Sequence, residues 1–185
     1  MFGGADVDKL AVFIDGGYIE KILQNEFGGM FVDYSTLSRG IASSIGSELE
    51  LFRIYFYHCL PYKGNPPSEE DSRRFANRER FFNALRGKPR FEVRLDVLRR
   101  TGPAPDGTYD YEQKMVDALL SIDLVRLSAR QIISHAAIVA GDGDFVPAVK
   151  AAREEGVLIW LFHGCTRHAD ERRKLQLSFL ESCRK

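Results

Sequence analysis

Cysteine is scarce. Cys59, Cys165 and Cys183 are the only three, they lie far apart, and none falls in a C-x-x-C pair. This argues against a disulfide framework and leaves a thiolate zinc site without ligands. The thiols are expected to be reduced, as in the cytoplasm. Excess charge is also missing, since 26 Lys and Arg balance 26 Asp and Glu. With no long-range field to draw in a polyanion, any contact with one must come from local patches. No apolar run is long enough to cross a bilayer, so no membrane partner is expected. The first nine residues carry Asp6 and Asp8 and lack a basic-then-apolar pattern, so they do not read as a secretory signal. There is no repeat or low-complexity tract, and 185 residues is the size of one domain, taken here as 1–185.

What is present is an alternation of short apolar runs with amphipathic stretches. Leu10 to Ile14 is a continuous apolar run of the kind that is buried on both faces, and Asp15-Gly16-Gly17 ends it. Leu51 to Tyr57 is aromatic and β-branched and reads as a strand. Arg90 to Leu98 alternates apolar and polar residues and is expected at a sheet edge. Ala136 to Ala140 and Val157 to Phe162 are further buried strands. Between them, helices are expected over 18–25, 34–45, 68–85, 111–126 and 145–155, with a closing helix over 169–180. Ser68 and Asp110 are the expected N-caps of the third and fourth, and 101–107 is expected to be a loop. This alternation implies a three-layer α/β/α sandwich with a central, mostly parallel sheet of about five strands.

In such a sheet, functional groups gather beyond the carboxyl ends of the strands, where strand order reverses. Asp15 lies at that end of the first strand, and Asp142 and Asp144 lie at that end of the fourth. Asp117 interrupts an apolar helix; at about 100° per residue it shares a narrow polar stripe with Gln113, Lys114 and Ser121. Asp123 points roughly 120° away and is assigned mainly to structure, within reach of Arg126. Carboxylates packed together repel and raise one another's pKa values. A divalent cation removes that repulsion, and oxygen ligands without His or Cys favour Mg²⁺ or Mn²⁺ over zinc. The reaction class that follows is metal-assisted phosphodiester hydrolysis. Of the two acids in the Gly141-Asp142-Gly143-Asp144 turn, Asp142 is the better candidate for a direct ligand. Asp144 is shared between the site and the N-terminus of the next helix.

Four pieces then carry a resemblance: Val12-Phe13-Ile14-Asp15-Gly16; Arg94-Leu95; Gln113 to Asp117 with Asp123; and Ala140 to Phe145. In this order they resemble the NYN domain of the PIN-like nuclease superfamily. The resemblance implies a ribonuclease whose Mg²⁺ or Mn²⁺ site uses Asp15, Asp117, Asp142 and Asp144, with Lys114 as a phosphate contact. The chain departs from the family pattern twice. Asp15-Gly16-Gly17-Tyr18 lacks the Asn of Asp-Gly-x-Asn, and Asp96 replaces a Gly after Arg-Leu.

The expected partner is RNA, single-stranded; a homodimer is also allowed. Tyr18, Arg73, Arg74 and Arg94 join Lys114 as expected substrate contacts, although a solvated helix face is the plainer reading of the charged run from Arg73 to Arg80. His58, His163 and His168 follow expected strands and read as polar loop residues. Gly17 and the zero net charge also fit a weakly active or inactive RNA- or protein-binding module. A phosphatase of the haloacid dehalogenase type would need an aspartate two residues after Asp15, where the chain has Gly17.

Overall fold

The computed structural model describes residues 7–97, 99–103, 109–112 and 115–164. Five parallel strands form the main sheet in the order β3-β2-β1-β6-β7. They are β1 (Lys9–Asp15), β2 (Glu50–Leu60), β3 (Phe91–Val97), β6 (His135–Val139) and β7 (Leu158–Phe162). The chain runs outward from β1 to β3, returns, and places β6 on the other side of β1. The carboxyl ends of β1 and β6 therefore flank the point of reversal, where an open parallel sheet forms its crevice.

Helices cover both faces, as expected for a parallel sheet whose central strand β1 is apolar on both sides. On one face α1 (Gly16–Glu26), α2 (Tyr34–Ile45) and α3 (Glu69–Arg86) bury Ile19, Leu37, Ile41 and Phe82 against Val12, Ile14 and Phe56. On the other, α4 (Val116–Ala129) and α5 (Val146–Glu154) bury Leu120, Leu124 and Ala148 against Phe13, Tyr55 and Ile138. Residues 10–14 of β1 are fully buried between the two layers. This is the three-layer α/β/α architecture that the alternation of runs implies.

Caps fix where the helices start. Asp15 accepts the Tyr18 N–H at 3.0 Å and caps α1, which therefore begins earlier than Tyr18. Ser68 accepts the Asp71 N–H at 3.0 Å and caps α3. Asp33 caps α2 through the Thr36 N–H at 2.9 Å and receives Lys88 Nζ at 2.8 Å. The Lys88 hydrogen bond, aided by the Thr36 N–H and opposed by burial, lowers the Asp33 carboxyl to about 2.

Two expectations are corrected. Residues 109–112 are not the start of a helix. They form β5 (Tyr109–Glu112), antiparallel to β4 (Arg99–Pro103). The antiparallel pairing with β4, a contact between separate segments, overrides the local helix-capping pattern at Asp110. Helix α4 therefore starts at Val116, and Asp117 lies in its first turn. The second correction is the length of β2. It continues through His58 and Cys59 to Leu60 because β3 stays paired with it to Leu60↔Val97. His58 is thus a buried strand residue rather than a loop residue. The helix expected over 169–180, with His168, Arg172 and Arg173, lies outside the described residues. Among the described residues no helix is long and apolar enough to cross a membrane.

Candidate metal centre

Parallel pairing sets the first two walls of the site. Ile14 stands opposite Val139, so Asp15 and the Ala140–Asp144 turn leave the sheet side by side. Beyond β6 the chain makes a 3-10 turn over Gly143–Phe145 before α5. Asp142 caps that turn by accepting the Asp144 N–H at 3.1 Å. The capping role expected of Asp144 thus falls to Asp142.

The third wall is the amino end of α4. Carboxylate oxygens of Asp117, Asp142 and Asp144 all lie within 4.8 Å of one another. Asp15 sits beside this group and acts on it through its charge. Burial, then the charges of Asp15, Asp142 and Asp144, push the Asp117 carboxyl above its ordinary value. Each electrostatic influence identified on Asp117 comes from another acid. Asp15 is also raised. Burial lifts it, while the N–H groups of Tyr18 and Gly17 and the charges of His58 and Lys21 pull it down less strongly.

This donor set fits a hard divalent cation. It offers carboxylate oxygens from three positions, no thiolate and no imidazole in the cluster, and a repulsion that a cation would neutralise. The α4 amino end adds the positive pole of a helix dipole beside Asp117, which favours the ionised form. Such a cluster can hold a divalent metal ion.

Asp123 is different. It is 6% exposed. Tyr57 Oη donates to it at 3.1 Å, Arg94 Nε at 3.2 Å and Arg126 Nη2 at 2.6 Å. It is a structural acid, on the side of α4 that the helical geometry assigns to it. Arg94 is therefore tied into this pairing and also faces Glu92 at 3.8 Å. Asp96, the acid at the family's Gly position, accepts the Met115 N–H at 3.0 Å and anchors the start of α4.

Tyr18 reaches across the site. Its hydroxyl accepts the Gly164 N–H at 2.6 Å, and its ring lies where a Cβ at Gly141 would be. Gly141 is required by this close approach. Tyr18 thus joins the turn after β1 to the ends of β6 and β7. Burial raises its phenol above the ordinary value. Arg73 and Arg74 lie on α3 and are exposed. Lys114 and Gln113 lie outside the described residues.

One group was not legible in the sequence. Glu20, His58 and Arg78 meet beside the first wall. His58 Nε2 is 3.2 Å from the Glu20 carboxylate and 2.9 Å from Arg78 Nη2, and Arg78 donates to the same Glu20 oxygen. Burial opposes charge at Glu20, but hydrogen bonds from His58 and Arg78 bring it down to about 2. Burial likewise opposes charge at His58, but the Cys59 carbonyl and Glu20 lift it to about 9. The His58 ring packs against Gly16, where an added Cβ would lie 2.6 Å away. These residues come from α1, β2 and α3, so no spacing in the sequence links them. Ile122 is also unexpected at 60% exposed, because α4 packs against the sheet and α5 and leaves its outer face open.

No curated protein matches the chain significantly. The NYN domain family profile, by contrast, matches residues 9–176, which span the sheet, all four acids and most of the chain. With the parallel sheet and the acidic crevice in place, the chain belongs to the NYN domain family, within the PIN-like nuclease superfamily.

Proposed function

We propose that this protein is a divalent-metal-dependent ribonuclease that hydrolyses phosphodiester bonds of single-stranded RNA. The observation that supports this reading is the convergence of Asp117, Asp142 and Asp144 within 4.8 Å, with no cation paired to any of them among the described residues. Asp142 and Asp117 are assigned as direct ligands of Mg²⁺ or Mn²⁺, Asp144 completes the cluster, and Asp15 faces it from β1. The bound cation supplies Lewis-acid stabilisation of charge on the phosphate and lowers the pKa of water. Asp15, whose carboxyl is raised by burial, is placed to accept a proton from the attacking water. Its hydrogen bond from the Tyr18 N–H fixes the carboxylate's orientation. Attack of water on phosphorus leaves a 5′-phosphate and a 3′-hydroxyl.

The test is cleavage of end-labelled single-stranded RNA with Mg²⁺, with Mn²⁺ and with EDTA, using Asp15→Asn and Asp142→Asn beside the wild type. Cleavage is expected with either metal, and loss with the chelator and with either substitution. Cleavage indifferent to both chelator and substitutions would overturn the proposal. A second reading, an RNA- or protein-binding module without turnover, is favoured by Tyr18 standing where the family pattern Asp-Gly-x-Asn carries its amide. It predicts RNA binding with no cleavage under either metal.

A further inference from the structure

A groove of about 800 Å³ lies between α1 and α3, on the helical layer next to Asp15. Its lining includes Glu20, five positions along α1 from Asp15. At about 1.5 Å of rise per residue this is roughly 7 Å along the helix axis, between one and two turns. Its size suits a small-ligand or nucleotide-sized occupant.

The lining is aromatic and cationic. Phe31 lines the groove and is 84% exposed, so one face of its ring is open to a ligand. Arg73, Arg74, Arg78 and Asn77 line the α3 wall. Of the two acids in the lining, Glu20 is held by Arg78 and His58. Glu70 remains exposed on the wall. Arg73 has no ion-pair partner among the described residues, so its guanidinium is available to an anion. A chain with zero net charge cannot hold RNA through a general positive field, and an aromatic platform with one or two cations is how such a protein can still grip a single strand.

We infer that this groove binds the single-stranded RNA flanking the cleaved phosphate, with an unstacked base on Phe31 and a backbone phosphate on Arg73. The inference rests on the ribonuclease reading for its direction, because Glu20 in the lining follows Asp15 on α1 by less than two turns. Its binding readout is independent of cleavage. The occupant is single-stranded because bases within a duplex are stacked on one another and present no free face to Phe31.

The test uses a fluorescein-labelled oligoadenylate of about 12 nucleotides, with anisotropy read in EDTA so that no cleavage occurs. Phe31→Ala and Arg73→Glu are compared with wild type. Both residues are exposed, so circular dichroism is expected to be unchanged. Stacking contributes about 1–3 kcal/mol per base, so Phe31→Ala is expected to weaken binding by about 5- to 150-fold. Arg73→Glu is expected to weaken it and to flatten its salt dependence. Variants that bind like the wild type, a wild type that does not bind, or a duplex that competes as well as the single strand would each overturn the inference. If the variants lose binding while the wild type cleaves nothing with Mg²⁺ or Mn²⁺, the groove stands and the ribonuclease reading fails. If the wild type cleaves and the variants bind as it does, only the groove fails.

Discussion

Asp117 and Asp123 lie on one helix, six positions apart, and their surroundings are opposite. Asp123 is buried and receives hydrogen bonds from Tyr57, Arg94 and Arg126. Asp117 is partly exposed and faces Asp15, Asp142 and Asp144. Burying a carboxylate is tolerable when donors meet it, which is the case for Asp123. Clustering carboxylates without donors raises their pKa values and destabilises the fold unless a cation joins them. The protein thus uses one residue type for two purposes. Asp123 joins α4 to β2 and β3, and Asp117 presents a charge that the protein itself leaves unanswered.

Substitutions at the two positions should separate accordingly. Asp117→Asn is expected to reduce metal-dependent RNA cleavage by roughly 100-fold or more, in line with the several kcal/mol that a metal site contributes to a phosphoryl transition state. The fold should be retained, and the unfolding temperature of the metal-free protein should rise slightly because one repelling charge is gone. Cleavage assays and thermal unfolding of the same preparation check both halves. Asp123→Ala is expected to destabilise the protein by about 2 kcal/mol, since it leaves Arg94 and Arg126 without their shared partner. The figure is kept below that for a fully buried pair because the two arginine side chains are 35% and 44% exposed. Urea denaturation measures it, and an unchanged midpoint would place Asp123 outside the stabilising network.

The smallest expected effect concerns pH. His58 is raised from 6.5 to about 9, so its contribution to stability is fully present below about pH 6.5 and is lost as pH rises through 9. Glu20, at about 2, and Arg78 keep their charges across that window, and Asp15 adds a further negative charge nearby. The unfolding temperature should therefore fall between pH 6.5 and 9, and fall less in His58→Gln. Parallel slopes for the two proteins would remove His58 from the account.

Much of this arrangement was legible in the sequence, for identifiable reasons. Continuous apolar runs can only be strands covered on both faces, which gives the parallel sheet. The first glycine after each such run marks its carboxyl end, which puts Asp15 and Asp142 at one crevice. Helical spacing separates Asp117 from Asp123. What stayed hidden depends on pairing between distant segments. Strand β2 reaches Leu60 because β3 holds it there, so His58 moves from an expected loop into the interior. The Glu20–His58–Arg78 contact joins three elements with no common period. The hairpin of β4 and β5 displaced the expected start of α4 because the alternation of Tyr109 to Glu112 is too short to stand out beside a capping pattern.

The most direct test is a calorimetric titration of Mn²⁺ into the metal-free protein, comparing wild type, Asp117→Asn and Asp123→Asn at a temperature where all three are folded. Wild type and Asp123→Asn should bind Mn²⁺ alike, and Asp117→Asn should bind at least about tenfold more weakly, the scale of losing one metal contact. Equal binding by wild type and Asp117→Asn would contradict the assignment of Asp117, Asp142 and Asp144 as a metal centre.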